Sequence, residues 1–180
     1  MEKNVAYIAL FAALIAVLGL VPQITLATGV PITAQSLGVM LCGTVLGARR
    51  GFLAVLLFVA LVALGLPLLS GGRGGLGVFS SPTVGFVIGF PVAAFVAGLV
   101  VEKWRVGLGI ASFAGAILGG VLVLYLFGIT GMAVVLGKSW PAASLLVGAY
   151  IPGDLIKAGM AGFITQGLAR LRPHAVLSRG

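Results

Sequence analysis

The chain is poor in charge, and poorest in acid. Of its 180 residues three are acidic, Glu2, Glu102 and Asp154, against eleven lysines and arginines. Charged residues make up 8% of the sequence, where a soluble domain carries about a quarter. Three scattered carboxylates cannot build a multi-carboxylate metal site, so no metal is expected. There is one histidine, His174, in a charged tail, and neither HExxH nor GxSxG occurs. One cysteine, Cys42, excludes an internal disulfide; flanked by apolar residues, it reads as a small packing side chain. The stretch "GMAVVLGKS", Gly131 to Ser139, has the look of a phosphate loop. It puts five residues between its glycines where the motif needs four, and Met132 stands at the required glycine. Nothing in this inventory supports catalysis, and none of it implies a cofactor, so the chain is not expected to be an enzyme.

What is abundant is apolar surface. Hydrophobic residues make up 61% of the chain, and the mean hydropathy is +1.26. The expectation is an all-α integral membrane protein, multi-pass in the plasma membrane, with one domain over residues 1–180. The 29 glycines read as close helix packing in lipid rather than as loops. Six apolar segments suggest six transmembrane helices, at about 4–21, 33–47, 51–66, 83–101, 107–128 and 142–169. The second is short for an upright crossing, and the sixth is long enough to need tilt, a kink or projection. The first exceeds the apolar run of a signal peptide and is read as a retained helix.

The net charge of +8 invites a nucleic-acid reading, but the distribution of charge argues against it. With the N-terminus inside, Lys3, Arg49, Arg50, Lys103, Arg105, Arg170, Arg172 and Arg179 fall on the inner side. Arg73 and Lys138 fall outside, and Lys157 lies within a span. This is the pattern that cytoplasmic enrichment of Lys and Arg produces. Both termini are therefore expected to be cytoplasmic, the partner surface is the lipid bilayer, and no nucleic acid is needed.

Small residues recur at four-residue steps. Ala9/Ala13 and Ala12/Ala16 form such pairs on the first helix, and Gly107, Ala111, Gly115 and Gly119 form a strip on the fifth. Such strips let backbones approach closely. Packing within the chain is favoured for the fifth. For the first, internal packing and an external docking face are equally open, and a homo-oligomer is compatible with the latter.

The last segment contains "GAYIPGDLIKAG", Gly148 to Gly159, which breaks every habit of a membrane helix. Asp154 and Lys157 are three apart and share a face that Tyr150 joins. Pro152 removes a donor and is expected to leave the Gly148 carbonyl free, and Gly153 weakens the helix further. Ionisable residues inside a span mark a functional site by default, and transporters put broken helices at substrate sites. An ion pair that merely fixes packing is the bland alternative. A second constellation is the glycine-rich outer loop around Arg73, where a guanidinium is suited to a carboxylate; a solvated loop is its alternative. Thr33 and Gln35, at the outer end of the second helix, are either pocket groups or an N-terminal cap plus a polar interfacial residue. Together the set suits a small ligand with hydrogen-bond donors at one end and negative charge at the other.

"PITAQSLGVMLCG" (Pro31–Gly43), "GLPLLSGGRGG" (Gly65–Gly75) with "SPTVGFVIGF" (Ser81–Phe90), and "PGDLIKA" (Pro152–Ala158) resemble the BioY family. These are the biotin-binding S-components of energy-coupling-factor (ECF) transporters. The family pattern near the second piece reads closer to GPTGGF, and Ser81 and Val84 stand at its glycines. The resemblance implies six helices, an outward-facing biotin site, and partners comprising a transmembrane T-component and two cytoplasmic ATPases of the ABC type. It implies that Asp154 and Lys157 bind the ureido ring and Arg73 the valerate carboxylate. Thr33 and Gln35 would line the pocket, and the alanines Ala9, Ala12, Ala13 and Ala16 would dock the T-component. The rival from another class is a proton- or ion-coupled secondary transporter of a small anionic vitamin, with Asp154 as relay.

Overall fold

The computed structural model describes residues 2–25 and 31–179. The fold is all-α, with six helical passes. They are α1 (Glu2–Leu18), α2 (Gln35–Leu46), α3 (Ala48–Ala63), α4 (Val84–Lys103), α5 (Leu108–Leu136) and a broken sixth pass. The sixth consists of α6 (Trp140–Val147) and α7 (Ile151–Leu171), joined by a 3-10 turn over Gly148–Tyr150. Two short strands, β1 (Ile24–Thr25) and β2 (Pro31–Ile32), pair antiparallel ahead of α2. Helices α4 and α5 are each long and apolar enough to cross a bilayer.

The bundle is organised around its shortest pass. All twelve residues of α2 are buried, as expected of a helix that is apolar on nearly every face. It touches α1, α3, α4, α5 and α7. Its glycines make that crowding feasible. A Cβ at Gly38 would press on Ile15 and Leu18 of α1, and one at Gly43 would strike the Ala94 carbonyl of α4. Gly47, in the left-handed region at φ 87°, turns the chain directly into α3. Basic residues in a first turn oppose the helix dipole, yet α3 begins with Ala48, Arg49 and Arg50. The Glu102 carboxylate offsets this by accepting the Ala48 N–H at 2.8 Å. On α3 the buried residues Gly51, Ala54, Val55, Phe58 and Val62 form one helical stripe.

The fifth pass packs by its small residues, within the chain as expected. Gly115 and Gly119 lie against the Ala97 and Ala93 backbone of α4, and Gly120 against Met40 of α2. The pass does not stop near Gly128 but continues to Leu136. Gly128 is there for packing: a Cβ would run into the ring of Phe86. Between Leu118 and Val123 the helix takes π geometry. The extra residue of such a turn re-aims everything beyond it, and Tyr125, two residues on, is buried.

One end of the bundle gathers the bases. Arg179 donates to the carbonyls of Val101, Trp104 and Val106, and Ser178 to that of Thr44. The tail is thereby held beside Lys103, Arg105 and the start of α3. Lys3 shares a surface groove with His174 and Leu177 at that end. The candidate site lies at the other.

Candidate binding site

The anomalous "IPGDLIK" is a helix start placed inside the bundle. Helix α6 ends at Val147, the 3-10 turn follows, and Pro152 occupies the first turn of α7. There its missing N–H costs nothing and its fixed φ suits the helix. The Gly148 carbonyl is not left free, because it accepts the Ile151 N–H. Asp154 then falls in the first turn of α7, where the helix dipole favours an acid.

Four side chains from three helices converge there. Lys157 on α7 donates to Asp154 Oδ1 at 2.8 Å, an ion pair with the two side chains 15% and 8% exposed. Ser36 on α2 donates to the same oxygen at 3.2 Å and accepts from Lys157 at 2.9 Å. Tyr125 on α5 donates to Oδ2 at 2.7 Å. Charge-assisted bonds of this kind are the strong ones. They hold the carboxylate with both oxygens engaged, and a carboxylate has lone pairs enough to accept a ligand N–H as well.

Arg73 approaches the same cavity from the glycine loop. Leu69 and Arg73 pair across a tight turn whose Gly71 and Gly72 have φ of 77° and 68°, angles that suit glycine alone. The Arg73 Nε–H donates to the Ser70 carbonyl at 3.2 Å, and Nη1 reaches Thr83 Oγ1 at 3.4 Å. Thr83 in turn lies 2.7 Å from Ser81 Oγ, which donates to the Val78 carbonyl. Burial pulls the guanidinium below its ordinary pKa, a desolvation cost that an anion in the cavity would offset.

The cavity is tight, about 60 Å³. It is lined at its polar points by Thr33, Ser36, Arg73, Thr83, Asp154 and Lys157, and between them by aromatic and aliphatic groups that include Phe86, Phe90 and Leu124. Its charge is unbalanced. Asp154 is matched by Lys157, Glu102 caps α3 at the far end, and Glu2 is exposed on the first turn of α1. Among the described residues Arg73 therefore has no carboxylate left to pair with. The arrangement accepts a neutral, amide-like group at the ion pair and an anion at the guanidinium.

The BioY family profile matches residues 2–174. The chain belongs to the BioY family. It is 52% identical over 191 residues to the biotin transporter BioY of Rhodobacter capsulatus, covering 100% of each chain. It is 51% identical to the biotin transporter BioY of Rhizobium etli, over 90% of each. Among solved structures it resembles the S-component for biotin from an ECF-type ABC transporter, with a TM-score of 0.89 and 29% identity over 98% of this chain and 94% of that one.

Within this BioY fold, the residues singled out from the sequence divide. Asp154, Lys157, Arg73, Thr33 and Tyr150 line one cavity, although 81 positions separate Arg73 from Asp154. Gln35 does not join them. Its amide is buried and spent on Ile15, Leu68 and Ser70, so it has nothing to offer the cavity. Thr33 serves twice, accepting the Gln35 N–H at 3.3 Å just ahead of α2 while lining the cavity. The alanines of α1 also split. Ala12 is buried and Ala16 half-buried, whereas Ala9 and Ala13 are exposed, so the four do not form one outer face. Ser36, Thr83 and Tyr125 were not singled out. Ser36 had a signal, since it directly follows Gln35 at the start of α2. Tyr125 had none, because it meets Asp154 only across 29 positions of chain.

Proposed function

We propose that this chain is the biotin-capturing membrane subunit, or S-component, of an ECF-type vitamin uptake transporter. It takes biotin from the outer side of the plasma membrane, and both termini are cytoplasmic. Asp154 accepts a ureido N–H and Lys157 donates to the ureido carbonyl, with Tyr150 and Thr33 on the walls and Arg73 on the valerate carboxylate. The observation that carries this reading is the pairing of charges in the cavity: one matched acid–base pair and one arginine without a counter-ion. A ligand with a polar neutral head and an acid tail satisfies both. Import against a gradient is driven by a transmembrane T-component and two cytoplasmic ATPases, and reorientation of the subunit releases biotin inside.

Calorimetric titration of the purified protein in detergent tests the reading, with biotin against thiamine and riboflavin and with Asp154→Asn beside the wild type. Tight binding of biotin alone, lost in the variant, is the expected result. No heat with biotin from folded protein sinks it and leaves the ion pair as interhelical glue or a proton relay.

A further inference from the structure

Gln35 is 2% exposed, and all of its amide's hydrogen-bonding capacity is in use. Its Nε2 donates to the Ile15 carbonyl at 3.1 Å and to the Leu68 carbonyl at 3.0 Å. Its Oε1 accepts from the Ser70 N–H at 3.0 Å and from the Ser70 hydroxyl at 3.3 Å. Three pieces of chain therefore meet on one side chain: the end of α1, the start of α2 and the loop over the cavity.

That loop is the one that carries Arg73. Backbone bonds between Leu69 and Arg73, at 3.0 and 3.2 Å, close it into a small hairpin with Ser70 inside. Ser70 gives its N–H and hydroxyl to Gln35 and its carbonyl to the Arg73 Nε–H. A single residue thus separates the buried amide from the guanidinium. The fit is close on the α1 side as well. A Cβ at Gly19 would lie 2.5 Å from the Leu68 carbonyl oxygen and 2.9 Å from Gln35 Nε2.

We propose that Gln35 is a positioning residue for recognition of the ligand's acid end. It anchors the hairpin Leu69–Arg73 through Ser70 and so holds the guanidinium over the cavity, without itself touching ligand. The proposal rests on the reading that Arg73 takes a carboxylate. It differs from a plain stabilising role in one respect: loss of the anchor weakens a ligand that has a carboxylate and spares one that lacks it.

The test titrates biotin and biotin methyl ester into wild type, Gln35→Met, Gly19→Ala, Arg73→Ala and the double variant Gln35→Met/Arg73→Ala, all as full-length protein in detergent. Methionine keeps most of the glutamine volume and none of its four bonds. Wild type is expected to prefer the acid, and Arg73→Ala to lose that preference. Gln35→Met is expected to weaken biotin binding about tenfold, the scale of a lost bond to a charged group. It should leave ester binding unchanged and add nothing in the Arg73→Ala background. Equal weakening of both ligands, or additive effects in the double variant, overturns the proposal. If Gln35→Met does not fold, Gly19→Ala carries the same test: its methyl crowds both the Leu68 carbonyl and the Gln35 amide and so displaces the anchor without removing it, and equal loss of both ligands is again fatal. Should wild type bind acid and ester alike, the Arg73 reading falls and the proposal with it. Should Arg73→Ala alone erase the preference while the Gln35 and Gly19 variants keep it, only the proposal falls.

Discussion

The Tyr125 hydroxyl donates to Asp154 Oδ2 at 2.7 Å, reaching from beyond the π turn of α5 to the first turn of α7. Tyr125 and the Ser36–Lys157 pair hold the carboxylate from opposite oxygens. Tyr125→Phe removes one donor to Oδ2 and keeps the ring, which packs edge-on to Phe86 with centroids 6.4 Å apart. Biotin affinity is expected to fall about tenfold, as for a lost hydrogen bond to a charged group. Calorimetry reads the effect. Unchanged or tighter binding would mean that Tyr125 competes with the ligand for Oδ2 rather than aiming it.

The ion pair offers a second test, because glue and binding site respond differently to paired substitutions. Lys157→Met leaves Asp154, 6% exposed, without its cation. Breaking a buried pair from one side costs about 3 kcal/mol, so the variant should melt well below wild type. The double variant Asp154→Asn/Lys157→Met removes both charges and should recover most of that loss. Neither should be raised in Tm by saturating biotin, while wild type should be. A double variant still stabilised by biotin would exclude the pair from the site.

How much of this was readable from the sequence follows from how far each signal travels along the chain. Asp154 and Lys157 announce themselves because charge in an apolar run is costly, and their partnership is local. Arg73 was legible for a related reason: its loop has one arginine, and glycines surround it. Ser36 pairs with a residue 118 positions away, and a serine in a membrane helix is unremarkable until its neighbour is known. For Gln35 the sequence leaves two readings open, because an amide at the start of a helix suits a pocket and a structural contact equally. Its saturation by Leu68 and Ser70 depends on a loop fold that no periodicity encodes. The fifth apolar segment is expected to end at about Gly128, whereas the helix runs on to Leu136 and Gly128 admits the Phe86 ring.

The split among the α1 alanines separates packing from docking. Ala12, 4% exposed, packs inside the bundle, and Ala12→Leu should destabilise the isolated protein by overpacking, by about 1–3 kcal/mol. Ala13 is exposed one position on, with Leu10 and Val17 exposed on the same helix. Ala13→Trp should leave melting and biotin binding unchanged and abolish co-purification with the T-component. Retained assembly in Ala13→Trp would move the docking face elsewhere on the bundle.

Orientation is the remaining physical claim, and the chain is well suited to testing it. Its single cysteine, Cys42, is fully buried in α2, so wild type should be inert to a membrane-impermeant maleimide. Lys138→Cys and Arg172→Cys then report on the two ends of the bundle from exposed positions. The base-rich end is expected inside, because Lys and Arg near the ends of spans are retained on the cytoplasmic side. In intact cells Lys138→Cys should label and Arg172→Cys should not; after permeabilisation both should. The reversed pattern would put the Arg73 cavity on the cytoplasmic face and end the reading of this protein as an importer that captures its ligand outside.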